Sequence, residues 1–476
     1  MRVRQAHKIP EKALTMTDIR DIDYGSSDLS YDAKFEDLSR LSRRNFLKSS
    51  LATLATGSLT SANTLAGVTS GTQPNDENYW QTVADQFLLK PGIIYLNTGT
   101  RGPSPINVHQ AQIDCLKHVN EDRLGYVNNI YTSGYKKHVR TRLADYVGCE
   151  ADEIAMTHNT TDGMAIGTNG PDLKPGDEII YTNHDHSSGA QPINLRCART
   201  GTIPIVIDLS QPRFHPPESP QILIDAFEAA ITPRTKLISF CHVNYTDGCV
   251  LPVQEICEMA RSKGILTLVD GAHPPGMMAL NLHELGCDMY AGACHKWMLA
   301  GLLTGFFYVR KELQDRIWPS IYSGPVLGKN MYGADDKSER GTTAQRYETH
   351  GSVNYASLVS IDEALTFHNQ IGPANVESRV RYLASTARQS LAAVNGVEVF
   401  TSDADQLSAG LVSFKVKGVD TKTLSKNLWQ NHLIYIREVR HKEIDWDANR
   451  LSLHLMATLP QIERTLALIE EIAIRA

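Results

Sequence analysis

Two residues of this chain are spaced for chemistry on an amine and an aldehyde. Lys296 sits in Tyr290-Ala291-Gly292-Ala293-Cys294-His295-Lys296-Trp297, and Asp270 begins Asp270-Gly271-Ala272-His273 one strand earlier. An amine placed after a short strand can condense with an aldehyde. A carboxylate at the end of the preceding strand can keep a pyridine nitrogen protonated, so that the ring works as an electron sink. The pair suits pyridoxal 5′-phosphate (PLP). A lysine alone would not decide it, because most lysines are solvated surface charges.

The elements around the pair support that chemistry. Gly264 to Asp270 reads Gly-Ile-Leu-Thr-Leu-Val-Asp, an apolar run closed by an acid. It is expected to be a buried strand of a parallel sheet, projecting Asp270 where open α/β sheets bind ligands. The plainer role of such an acid is to cap the next turn or helix. Asn159-Thr160-Thr161-Asp162-Gly163 follows the apolar Ile154-Ala155-Met156, and Met164-Ala165-Ile166-Gly167 can begin a helix. A helix N-terminus with added hydroxyls makes a phosphate cradle, although the same residues serve as an ordinary N-cap. Lys174-Pro175-Gly176-Asp177 is a turn into the strand Glu178-Ile179-Ile180-Tyr181, which leads to Asn183-His184-Asp185-His186-Ser187-Ser188. His184, Asp185 and His186 together invite metal ligation. Their spacing is not a zinc signature and no Cys or His cluster completes it, so no metal is assigned.

Val269-Asp270-Gly271-Ala272-His273-Pro274-Pro275-Gly276, followed by Cys294-His295-Lys296-Trp297, resembles the class V aminotransferase family of fold-type I PLP enzymes. The likeness is strongest to its isopenicillin N epimerase-like branch and runs from about Ile94 to the C-terminus. It implies that Asp270 pairs with the pyridine nitrogen and His273 with the phenolic oxygen. Lys296 holds the cofactor and shuttles the proton at the substrate's Cα. His295, Thr160 and Thr161 reach the phosphate, and His186 stacks on the pyridine face, completing a catalytic set with Lys296 and Asp270. Gly351-Ser352 matches the family's Gly-Thr segment, which reaches the phosphate of the neighbouring subunit and so implies a homodimer with shared active sites. A turn before a helix is the plainer role of that pair. Arg450, in Asn449-Arg450-Leu451-Ser452-Leu453-His454, matches the arginine that grips the substrate carboxylate with its planar fork. Two departures stand out. Ala293 and Cys294 occupy positions where the family often has Ser or Asn, so one phosphate contact is missing or supplied elsewhere. Asp247-Gly248 replaces a frequent Thr-Gly, which changes the nearby pocket.

The family's reactions are transamination, epimerisation, C–S lysis and desulfuration. Desulfurases use a mobile cysteine in a loop well after the lysine, and no cysteine of this chain follows Cys294, which excludes that route. The resemblance implies an aminotransferase or epimerase acting at the Cα of an amino-bearing substrate with a carboxylate. A C–S lyase is the alternative within the family. A non-catalytic PLP-fold ligand-binding protein is the alternative of another class, opposed by the intact Asp270, His273, Lys296 and Arg450.

Ser42-Arg43-Arg44-Asn45-Phe46-Leu47-Lys48 is a twin-arginine motif, and the uncharged stretch from Ser49 to Ala66 fits the signal segment that follows it, with Thr64-Leu65-Ala66 as cleavage site. The expected product is a periplasmic enzyme moved already folded, cofactor aboard, by the twin-arginine translocation machinery. Export combined with PLP resembles family members that tailor a peptidic metabolite such as a siderophore. The eight cysteines show no framework spacing and need not form disulfides. A net charge of −6 without a basic stripe excludes nucleic acid as a partner. The chain divides into a polar tail (1–41), the signal segment (42–66), an arm (67–93), a large PLP-binding domain (94–345) and a smaller α+β C-terminal domain (346–476). From about Ile94 to Arg310 strand-like runs alternate with helical ones such as Pro252 to Lys263, a βαβ pattern. The resemblance implies a fold-type I α/β class, a mostly parallel seven-stranded sheet with that smaller domain; Ser323 to Gln345 is expected as a polar, Gly-rich loop.

Overall fold

The computed structural model describes residues 73–476 apart from 133, 322, 324–328, 331 and 336. The twin-arginine motif, the tail before it and the signal stretch lie outside the described residues. No helix among the described residues is long and apolar enough to cross a membrane.

The strands are β1 (Ile94–Tyr95), β2 (Ile154–Thr157), β3 (Glu178–Thr182), β4 (Ile203–Ile207), β5 (Thr235–Cys241), β6 (Leu266–Gly271), β7 (Met289–Ala293), β8 (Gly305–Val309), β9 (Val397–Val399), β10 (Leu411–Val416), β11 (Ile434–Tyr435), β12 (Arg437–His441) and β13 (Trp446–Ser452). Seven of them form one sheet in the order β2-β8-β7-β6-β5-β3-β4. Every neighbouring pair is parallel except the two that involve β8. The centre of the sheet is buried on both faces, and for that reason β6 and β7 are dominated by apolar and small residues rather than by an alternation. Gly271 and Gly292 are required by close packing: a Cβ at either would lie 1.8 Å from the Tyr290 ring or 2.2 Å from the Phe306 ring.

The sheet order brings the carboxyl ends of β3, β5, β6 and β7 to one edge. Helix α1 (Thr160–Asn169) starts directly after β2, four residues before Met164 where the sequence suggested a helix could begin. Asn159 caps it by accepting from the Asp162 amide at 3.1 Å, which draws the first turn back to Thr160. Helix α2 (Ser187–Thr200) follows β3 with His186 as its N-cap. Within the stretch expected as a polar loop, Glu339–Thr342 forms a helical turn, tied by Glu339 to Lys137 and Gln345.

A four-stranded antiparallel sheet, β12-β13-β10-β9, forms the C-terminal α+β region with helices Pro373–Ala392, Thr421–His432 and Leu459–Arg475. Leu383, Phe414, Leu428, Leu451 and Ile462 belong to its core. The two-residue alternation of β13 then sends Arg450 and Ser452 to the face opposite Leu451. β1 pairs with β11, and Asn97 bridges to Ser452, so the chain just after β1 runs beside Arg450. Trp297 packs in a further core with Val380, Leu411, Leu455 and Met456, which anchors the lysine loop to the C-terminal region.

Candidate active site

Asp270 ends β6 and is 3 % exposed. Its Oδ1 accepts from the Ala272 amide at 3.0 Å, the turn-capping role, while Oδ2 is buried without a partner. Burial pushes the carboxyl pKa up, and the Lys296 ammonium opposes that shift. Gly189 lies beside Oδ2, and a Cβ there would sit 3.6 Å from it, at ordinary contact distance. Lys296, after β7, has its pKa lowered to about 8, chiefly because burial strips water from the ammonium; Asp270 pulls it up and Arg450 pushes it down. The backbone beyond the lysine is strained, with Leu299 at φ 64° and Leu303 at φ 61°.

His273 is fully enclosed and accepts at Nδ1 from the Trp297 indole N–H at 3.1 Å. Burial holds the ring neutral, so its remaining proton sits on Nε2, a donor suited to a phenolic oxygen. His186 presents its ring edge to Tyr245 at 5.0 Å and 83°, with Nδ1 on the Ser188 hydroxyl at 2.6 Å. Its side chain is exposed on one side, and desolvation by the surrounding protein, together with Lys296, Arg437 and Arg450, lowers its pKa to about 4.

On the phosphate side, Thr160 is buried at the start of α1 with Oγ1 unpartnered, and Thr161 next to it is exposed. Gly305 lets β8 approach this turn, since a Cβ there would lie 2.8 Å from the Asn159 Cα. His295 donates Nδ1–H to the Thr304 carbonyl at 3.0 Å. Its other nitrogen is then an acceptor, and a phosphate contact would need the imidazolium, which burial disfavours. Ala293 and Cys294 are wholly buried and offer no hydroxyl. Gly351 and Ser352 are exposed on a bend. The preceding His350 packs on His158, a neighbour of the α1 N-terminus, with ring centroids 4.7 Å apart.

On the substrate side, Arg450 is 2 % exposed and donates from Nη1 to the Tyr245 carbonyl at 2.7 Å. Nε is buried without a partner, and no carboxylate among the described residues pairs with it. Burial first, and then its cross-strand neighbour Arg437, lower its pKa to about 9. The sequence reading missed the rest of this wall. Thr100 touches Arg437 at 3.2 Å and Arg450 at 3.5 Å. A Cβ at Gly99 would meet Arg450 at 3.0 Å, and one at Gly102 would lie 2.0 Å from the Lys296 carbonyl. The stretch Asn97-Thr98-Gly99-Thr100-Arg101-Gly102, rich in hydroxyls and glycine just after a strand, was the available signal. Asp247 turns away from this wall and is buried beside His215.

The aminotransferase class-V family model matches residues 102–463, well over half of the chain. This chain belongs to that family. Isopenicillin N epimerase of Streptomyces clavuligerus is 29% identical over 360 residues, covering 75% of this chain and 89% of that protein. A probable cysteine desulfurase of Methanothermobacter thermautotrophicus is 24% identical, over 80% of this chain and 94% of its own length. Among solved structures, a C-DES mutant with glycine covalently linked to its PLP cofactor superposes with a TM-score of 0.72 at 23% identity. That match covers 81% of this chain and 98% of the other and shows the shared fold. The family is PLP-dependent, and the residues present fit that cofactor. Asp270 Oδ2 is a buried acceptor without a partner, Thr160 Oγ1 is a buried hydroxyl without a partner, and burial brings the Lys296 amine down to a pKa of about 8.

Proposed function

We propose that this class V enzyme moves a proton at the Cα of an amino-acid-like substrate whose carboxylate is held by Arg450, leading to epimerisation or amino transfer. The observation that carries this reading is the buried Arg450 guanidinium, which donates to the Tyr245 carbonyl and has no carboxylate partner among the described residues, on the strand wall beside Lys296. PLP, when bound, supplies a ring that takes up the electron pair left as the Cα proton departs. Lys296 is the base for that proton, and a pKa near 8 suits removal and return at neutral pH. Asp270 would balance the charge of the protonated pyridine, while Thr160 and the α1 N-terminus would hold the phosphate. His273 would donate to the phenolic oxygen, and His186 would cover one face of the ring. The atom and face to which the proton returns decide between the two outcomes. Incubating the holoenzyme with amino acids and small peptides in deuterated water tests this reading. The Cα–H signal of a substrate should wash out of the proton NMR spectrum, and Lys296→Ala should not exchange it. No exchange with any carboxylate-bearing amine would end the proposal.

The same proposal includes a homodimer in which Gly351 and Ser352 reach the partner's phosphate site. Exposed Leu302, Leu303, Trp318 and Ile321 support it, because Ser357, at the start of the helix after Gly351-Ser352, bonds the Leu302 carbonyl. Export through Arg43 and Arg44, with a peptidic substrate met outside the cytoplasm, completes it and rests on the sequence motif.

A further inference from the structure

Three residues far apart in sequence meet behind the cofactor wall. His184 lies in the turn after β3, His215 in the segment between β4 and the next helix, and Asp247 in the loop after β5. Their potential ligand atoms lie within 4.8 Å of one another. We propose that they bind one divalent transition-metal ion, with zinc as the best match to the donor set, and that the ion braces the cofactor site.

The geometry leaves donors waiting. His184 is 0 % exposed; its Nδ1 meets the Thr246 hydroxyl at 2.6 Å, which fixes the ring and leaves Nε2 buried without a partner. A polar group on the far nitrogen is how metal-bound imidazoles are oriented. His215 Nδ1 lies 3.0 Å from Asp247 Oδ2 as an ion-pair contact, and its Nε2 is buried without a partner. Asp247 is 1 % exposed and its Oδ1 accepts from the Cys249 amide at 2.9 Å, turning Oδ2 toward the histidines. Two ligands on one tetrahedral zinc are separated by roughly 3.3–3.4 Å when each bond is about 2.0–2.1 Å long, so His215 and Asp247, 3.0 Å apart, need to open by only a few tenths of an ångström. Trp446 packs against both rings, at 5.3 and 5.0 Å, and Phe400 lies behind it. Two imidazoles and one carboxylate, shielded from water, form a nitrogen–oxygen set of the kind zinc accepts. Buried polar atoms without partners are uncommon, and an ion is one of the few ways to satisfy several at once. The other histidine–aspartate grouping, His158, Asp162 and His350, is partly exposed and lacks this enclosure.

The three segments joined by the ion carry parts of the active site. The turn with His184 also carries His186, and the loop with Asp247 also carries Tyr245, whose carbonyl accepts from Arg450. The metal therefore acts as a brace and takes no part in proton transfer.

Zinc content of the holoenzyme, purified without chelator, is measured by mass spectrometry, and Zn²⁺ alone is titrated into stripped holoenzyme by calorimetry. About one zinc per chain and a single saturable site are expected, weakened at least about 100-fold in His215→Gln and Asp247→Asn. Both variants should retain the visible PLP band, which reports that they fold. Anomalous diffraction at the zinc edge should place the ion between the three side chains, a readout that stands if either variant fails to fold. No saturable uptake by the wild type, unchanged affinity in folded variants, or zinc located elsewhere would each overturn the proposal and leave a hydrogen-bonded His–Asp pair.

Discussion

Lys296 differs from an ordinary surface lysine through its surroundings more than its position. Burial lowers its pKa to about 8, so the neutral amine predominates above that pH, whereas a solvated lysine stays charged until about 10.4. Covalent uptake of PLP by cofactor-free protein, followed by visible absorbance, should therefore accelerate with rising pH around a midpoint near 8, and Lys296→Ala should show no uptake. A midpoint near 10 would mean that the lysine is solvated when the cofactor arrives. Arg450 is the second residue whose environment sets its role. It is buried, it lies opposite Arg437 across the strands, and it has no acid beside it among the described residues. Losing a desolvated two-point contact to a carboxylate costs about 2–5 kcal/mol. Arg450→Ala should then lower kcat/KM by roughly 30-fold to several thousand-fold. The visible band of PLP should not change. If Arg450→Ala leaves kcat/KM intact while Arg437→Ala lowers it, the carboxylate is held on the neighbouring strand.

The elements that bring these residues together were legible in unequal measure. β6, β7 and the helix after β5 were readable because strands buried on both faces are dominated by apolar and small residues and the Val253–Ser262 helix alternates with the helical period. Asp270 and Lys296 were legible for the same reason, each standing at the end of such a strand. The parallel α/β sheet followed from the βαβ alternation, and its seven strands from the resemblance. Contacts that close the sequence over long distances were not readable: Thr100 against Arg450, Trp297 against His273, and His184 against His215. No local periodicity encodes them. The first depends on β1 pairing with β11, and the second on the packing of the lysine loop against the turn that ends in Gly276. That turn is a test of the element scale. Gly276 has φ +85°, and a Cβ there would come within 2.4 Å of the Trp297 carbonyl. Gly276→Ala should cost about 1–3 kcal/mol in backbone strain alone. Because it pushes on the lysine loop, chemical denaturation and PLP retention should weaken together. Stability unchanged from wild type would show that the loop yields freely.

At the scale of the whole molecule, two properties lie beyond one folded chain: where the enzyme works and whether its sites are its own. If Arg43 and Arg44 form a twin-arginine signal, Arg43→Lys with Arg44→Lys should leave a yellow, folded enzyme in the cytoplasm on cell fractionation; an unchanged periplasmic yield would remove export from the proposal. The shared site makes a sharper demand. Suppose that Ser352 of one chain serves the phosphate held by the other chain's α1 N-terminus. Ser352→Asp would then set a carboxylate against that phosphate and weaken both sites of its own homodimer. Lys296→Ala would disable both sites of its own. In a heterodimer of the two, one site collects both defects and the other collects none, because the intact lysine and the intact serine come from different chains. Co-expression under two affinity tags, followed by sequential purification, isolates that species. Its expected activity is about half that of the wild-type dimer per lysine-bearing and aspartate-bearing pair, from two parents that are each nearly inactive. If each chain builds its site alone, the heterodimer has one site lacking the lysine and one bearing the aspartate, and its activity stays at the level of the parents.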